Sequence, residues 1–196
     1  MISVDQLVYE RFFAPVFQPV SFRLGAGELL RITGANGSGK TTLIRVLAGL
    51  LEPTAGRVGI TADRIAYVGH QLALKDDLSV EENLKFFSNF MGTGTTSAAT
   101  AIDALGLRRV AGQLARTLSA GQRKRCALAR LLLSPARLWL LDEPYSNLDT
   151  EGCSRVDELL ASHLARGGAC VMATHGNHRP QVPVEDELAL KAGTGS

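Results

Sequence analysis

Hydrophobic and polar positions divide the chain into stretches of different character. Over residues 2–24 short alternating runs predict two strands, the second limited by Pro15 and Pro19, because proline cannot donate to a ladder. Gly25-Ala26-Gly27 turns the chain into a strand over 28–33, and a glycine-rich loop follows over 34–39. Leu43, Val46, Leu47 and Leu50 recur at helical spacing and predict a helix over 40–50. Pro53 and Gly56 end that unit, and 58–68 supplies one or two short strands. Residues 73–136 read as mostly helical, with helices over 80–90, 98–105 and 120–133 and a Gly/Thr/Ser loop at 92–97. Residues 137–141 are apolar apart from Arg137, the mark of a buried parallel strand. A helix over 150–166 stops at Gly167-Gly168, a second buried strand covers 169–173, and 191–196 reads as a frayed end. Strands and helices alternate in the outer thirds, which predicts an α/β core interrupted by a helical insert.

A length of 196 residues fits one domain, or one with an inserted subdomain. Apolar residues at 45% and charged residues at 20% exclude general disorder. With 21 basic against 19 acidic residues, neither nucleic acid nor an acidic membrane surface is expected as the main partner. Cys126, Cys153 and Cys170 form no CxxC pair, which favours a reducing compartment over a zinc site. The start lacks a basic stretch followed by an apolar one, so no signal peptide is expected. The longest uncharged run, Phe86 to Ile102, is broken by glycines and threonines, so any membrane association is expected through a partner.

Gly34-Ala35-Asn36-Gly37-Ser38-Gly39-Lys40-Thr41 fits G-x-x-x-x-G-K-[ST] between a predicted strand and a predicted helix. Such a loop curls its backbone so that successive N–H groups face phosphate oxygens, with the helix N-terminus adding partial positive charge. Lys40 can reach β- and γ-phosphates, the Thr41 hydroxyl can ligate Mg²⁺, and Thr42 belongs to the same first helical turn. Leu138 to Leu141 runs straight into Asp142-Glu143, at the strand end where parallel sheets hold ligands. Asp142 is placed to hold Mg²⁺ through water, and Glu143 to polarise a water for attack. Two acids after a strand would otherwise be a solvated turn; the phosphate loop in the same chain decides between the readings. Ser119 and Gln122 make an S-x-x-Q capping box, and a helix start of this kind is also an anion site.

With Leu118-Ser119-Ala120-Gly121-Gln122 the chain resembles the ABC-type ATPases, whose signature is LSGGQ, with one glycine changed. Gln71, 31 residues after Lys40, matches the Q-loop glutamine; Ser146-Asn147-Leu148-Asp149 matches the D-loop; and His175, 32 residues after Glu143, matches the switch histidine. The resemblance implies a P-loop α/β fold with a mixed or parallel sheet, a helical insert and a small N-terminal antiparallel β subdomain. Residues 1–72 and 137–196 would form the catalytic core, and 73–136 the helical subdomain. It further implies a head-to-tail dimer in which Ser119, Gly121 and Gln122 meet the partner's ATP in trans. Asp149 would also contact nucleotide, Glu143, His175 and Gln71 would serve catalysis, and Thr41, Gln71 and Asp142 would hold Mg²⁺. The aromatic residue that stacks on adenine in many members falls at Arg11, flanked by Phe12, and either side chain can stack on a base. Arg123-Lys124-Arg125 reads as the solvated face of a helix, and His70, His163 and His178 receive no role.

Tyr67-Val68-Gly69-His70-Gln71, Leu78-Ser79-Val80-Glu81-Glu82-Asn83-Leu84 and the run from Leu138 to Tyr145 resemble more narrowly the haem-exporter ATPases of cytochrome c maturation. That resemblance implies a peripheral ATPase on the cytoplasmic face of a bacterial inner membrane, with integral membrane partners of the CcmB and CcmC type. Hydrolysis would drive haem delivery or release of a haem-loaded chaperone, and residues 72–84 would belong to the docking surface. The alternatives are the ATPase of a lipid or drug exporter, and a soluble ABC protein acting on DNA or ribosomes. The single motif set, the lack of a heptad stretch and the near-neutral charge speak against the latter.

Overall fold

The computed structural model describes residues 1–91, 96–175 and 179–193. Ile2, Val4 and Leu7 point into the core from β1 (Ile2–Val8), while Ser3 and Asp5 face solvent. The alternation slips between Val4 and Leu7, where Gln6 takes a φ of 45° and the ladder register shifts. A bulge of this kind lets Leu7 face inward despite its odd spacing. The first 24 residues hold four strands rather than the two expected. β2 (Glu10–Arg11) and β3 (Ala14–Pro15) form a small hairpin, and β4 (Val20–Leu24) pairs antiparallel with β1. The strand after Gly27 is β5 (Leu29–Thr33), and β6 (Ala55–Ile60) completes a three-stranded antiparallel sheet in the order β4-β1-β6.

β7 (Ile65–Val68), β8 (Leu138–Asp142), β9 (Ala169–Ala173) and β10 (Asp186–Ala189) join β5 in a five-stranded parallel sheet ordered β10-β5-β9-β8-β7. Every residue of β8 and β9 is buried, because both faces of the sheet are covered. On one face Leu30, Ile32, Leu140 and Val171 pack with Leu43, Ile44 and Leu47 of α1 (Lys40–Leu47) and with the antiparallel sheet. On the other, Leu29, Trp139, Leu141 and Met172 pack with α4 (Ala120–Leu133) and α5 (Thr150–Ala165). Val80 and Leu84 of α2 (Val80–Met91) and Ala101 and Ile102 of α3 (Ala98–Ala104) extend that second core.

Three further expectations need correction, and one strand was not expected. α1 stops at Leu47, with Gly49 at a φ of 70° and Leu50 exposed. β10 begins with two acids, so no apolar run announced it. Residues 191–193 are pinned rather than frayed, since Gln18 N donates to Lys191 O at 3.0 Å and Gly193 N to Val16 O at 3.2 Å. Arg123-Lys124-Arg125 is no solvated face: Lys124 is buried, Arg123 donates to Ala115 O and pairs with Asp76, and Arg125 donates to Leu105 O and Gly106 O. The loop at 92–95, His178 and residues 194–196 lie outside the described residues. Among the described residues no helix is long and apolar enough to cross a membrane.

Candidate active site

Register brings the sequence motifs together. Ile32 pairs with Ala173, Asp142 with Ala173, and Val68 with Leu141, so the segments that follow β5, β7, β8 and β9 emerge along one edge of the sheet. These are the carboxyl ends of parallel strands, where α/β proteins bind ligands. A cavity of about 480 Å³ opens there, lined by residues of the glycine-rich loop and α1 together with Arg11, His70, Glu143 and His175.

The loop over 34–39 ends at Gly39, whose φ of 97° lies in the left-handed region. A Cβ there would stand 2.9 Å from the Phe17 ring, so glycine is required on both counts. α1 begins with no side-chain cap and no acidic residue in its first turn, which leaves its leading N–H groups for an anion. Lys40 folds back across the loop, its Nζ donating to Gly34 O at 2.8 Å and Ala35 O at 3.1 Å. Ser38 Oγ is buried without a hydrogen-bond partner among the described residues. An orphaned hydroxyl inside a phosphate-type loop fits a ligand oxygen.

Asp142 is 1% exposed, and neither carboxylate oxygen has a hydrogen-bond partner among the described residues. A carboxylate so placed is costly unless a cation meets it. Among the described residues no cluster of three or more acids, histidines or cysteines could hold a metal. One carboxylate and the Thr41 hydroxyl, completed by phosphate oxygens and water, is nonetheless the sparse set that suits Mg²⁺.

Glu143 takes a φ of 53°. Its N–H donates to Ala173 O at 2.9 Å, and its own carbonyl accepts from Ser146 Oγ and Lys124 Nζ, both at 3.0 Å. Its carboxylate accepts from the backbone N–H of His175 at 3.0 Å, and His175 Nδ1 lies 3.1 Å from the same oxygen. Carboxylate and imidazole thus meet in the cavity lining.

Other expected residues lie elsewhere. Gln71 is exposed and does not line the cavity; His70, assigned no role from the sequence, does. His70, like His175, stands just beyond a parallel strand, where such sheets hold ligands, and that position was its signal. Of the two candidates for the base contact, Arg11 lines the cavity. Phe12 is 91% exposed with Phe13 at the β2–β3 tip, both at positive φ. Ser119 caps α4 through a reciprocal box, its Oγ accepting from Gln122 N at 3.2 Å while Gln122 Oε1 accepts from Ser119 N at 2.8 Å. Gly121 packs against the backbone at Asn147, and Asp149 caps α5 by accepting from Gly152 N at 2.8 Å. Within one chain these residues stand outside the cavity. In the segment expected to dock, over 72–84, Val80 and Leu84 are spent on the core; beyond it on α2, the exposed Phe86 and Phe90 stack with ring centres 6.5 Å apart.

A fold of this topology, with a phosphate loop, an acid pair and a histidine at the strand ends, defines an ATP-hydrolysing cassette. Residues 17–146 match the family model described as ABC transporter, and the chain belongs to the ABC transporter family as one of its ATP-binding subunits. Similar curated proteins carry the name "Cytochrome c biogenesis ATP-binding export protein CcmA". The protein from Xanthomonas campestris pv. campestris (strain 8004) is 48% identical over 90% of this chain and 87% of its own length. The one from Roseobacter denitrificans is 46% identical over 89% of this chain and 84% of its own. Among solved structures, the dimeric post-hydrolysis state of the ATP-binding cassette MJ0796 bound to ADP and Pi superposes with a TM-score of 0.78 at 26% identity, covering 90% of this chain and 88% of that one.

Proposed function

We propose that this chain is the ATP-binding and ATP-hydrolysing subunit of an export complex for cytochrome c biogenesis, working on haem or on a haem-loaded chaperone. The observation that supports it best is the convergence of the Lys40 loop, Glu143 and His175 on one cavity, with the Asp142 carboxylate, unpartnered among the described residues, at the end of β8.

The chemistry follows from positioning and charge. Phosphates settle on the backbone N–H groups over 36–41, and Lys40 turns its ammonium from the loop carbonyls to the phosphate oxygens. Thr41, Asp142 and Gln71 are the residues that would hold Mg²⁺, and the ion would supply positive charge against the phosphate oxygens. Glu143 accepts a hydrogen bond from the attacking water and fixes its direction, while His175 meets the γ-phosphate. A second copy supplies Ser119, Gly121 and Gln122 from the start of its α4, and Asp149 also contacts nucleotide. Arg11 stacks on the base. Loss of phosphate removes the shared ligand and the two copies part. The working complex adds integral membrane subunits of the CcmB and CcmC type and lies at the cytoplasmic face of a bacterial inner membrane.

The test is capture of the Glu143→Gln protein from host membranes solubilised with ATP and Mg²⁺. Partners are identified by mass spectrometry and haem by its absorbance band. Cytochrome c maturation subunits in the capture support the reading. A different permease overturns the haem assignment, and ribosomes or DNA alone overturn transport.

A further inference from the structure

Lys124 is a buried charge that the hydrolytic scheme leaves without a task. It lies in the first turns of α4 and is 3% exposed. Among the described residues its ammonium forms no ion pair; its hydrogen bond goes to the carbonyl of Glu143 at 3.0 Å. That carbonyl also accepts from Ser146 Oγ at 3.0 Å and from Ser146 N at 3.2 Å. The three donors hold Glu143 in its left-handed backbone conformation, which a non-glycine residue keeps only when its surroundings enforce it.

A second contact lies one turn away. A Cβ at Gly121 would stand 2.6 Å from Asn147 O, so the start of α4 rests directly on the backbone that follows Glu143. The helix therefore grips the 143–147 turn at two points, Gly121 on Asn147 and Lys124 on Glu143. A neutral donor would satisfy one carbonyl without burying a charge. The charge itself matches its setting: burial pulls the ammonium below the ordinary lysine range, and the nearby Asp142 and Glu143 carboxylates oppose that pull.

We propose that Lys124 is a positioning residue for hydrolysis, holding the Glu143 peptide so that its carboxylate aims at the water and tying that carboxylate to the helix whose first residues face the partner's nucleotide. Closure onto one ATP at Ser119 is thereby felt at the base of the other site. This rests on the role of Glu143 stated above.

The experiment compares wild type, Lys124→Met, Lys124→Arg and Glu143→Gln in the complex purified from host membranes, with ATP turnover, ATP binding and melting curves for each. Lys124→Met is expected to lower kcat about 100-fold, the loss that follows small misplacement of a reacting group, with KM for ATP little changed. Lys124→Arg, which keeps charge and donor, is expected to recover most of that loss. Ser146→Ala removes another donor from the same carbonyl at a half-buried position. It is expected to lower kcat about fivefold at constant KM, and it decides the matter should Lys124→Met fail to fold. Unchanged kcat in the first of these variants to fold, a parallel loss of ATP binding, or an arginine variant no better than methionine overturns the proposal. Normal turnover by Glu143→Gln overturns the hydrolytic role instead. An inactive Glu143→Gln beside a normal Lys124→Met overturns the positioning role alone.

Discussion

Glu143 has its N–H, its carbonyl and its carboxylate all engaged, by Ala173, by Lys124 and Ser146, and by His175. Glu143→Gln keeps that shape and removes the charge that polarises water. Hydrolysis is expected to fall about 10²- to 10⁴-fold while ATP still binds, which a turnover assay beside equilibrium nucleotide binding checks. Lys40, Asp142 and Glu143 were legible in the sequence because each stands beside the residues that define its motif. Lys124 and His70 were not. A charge run reads as solvated until burial is known, and an isolated histidine acquires a role only from the strand end that carries it. His163 shows the same limit. Its ring stacks on Trp139 with centroids 3.6 Å apart, and its Nε2 lies 3.2 Å from Ala169 O. Burial holds its pKa down at about 4, against an ordinary 6.5. The folded state therefore prefers neutral imidazole, and the unfolded chain takes the proton first. The resulting stability is full above the ordinary value and drains away as pH falls toward the folded value, by at most about 3 kcal/mol. Denaturant titrations at neutral pH and near pH 4 are expected to show a smaller acid loss in His163→Phe than in wild type.

At the scale of elements, α4 carries two duties at one end. Its capping box holds the helix start, and the same serine is proposed to meet a phosphate across the dimer. Ser119→Ala is expected to cost about 1 kcal/mol of stability and also to weaken ATP-driven pairing, read by melting curves and by sedimentation with ATP. A loss in the first without the second would leave Ser119 a cap and nothing more. The range 120–133 was readable because its apolar spacing and its box agree. α3 is held differently: Arg125 and Arg155 donate to carbonyls over 103–106, closing a helix end that has no basic residue of its own. No local pattern announces a cap supplied from two other helices. The bulge at Gln6 and the acidic edge strand β10 escaped for a related reason, since each is stabilised by partners distant in the chain.

For the molecule as a whole, alternating strands and helices made the α/β class legible, and fully buried β8 and β9 followed from their apolar runs. The order of the sheet did not, because β7 and β8 pair across the whole helical insert. The sheet joins two cores, one with α1 and one with α4 and α5. Leu160, fully buried on α5, belongs to the second. Leu160→Ala is expected to lose about 2–5 kcal/mol in a single cooperative transition, and chemical denaturation followed by circular dichroism tests both points. Two separate transitions would mean that the cores unfold independently.

The stacked pair behind the sheet has an optical consequence. The chain contains one tryptophan, so all indole emission comes from Trp139, three residues before Asp142 on the same strand. Sealed from water and lying flat against an imidazole, that fluorophore will emit at short wavelength, dim when His163 gains a proton, and shift red when the chain unfolds. The protein carries its own light signal for acid and for folding, with no dye attached.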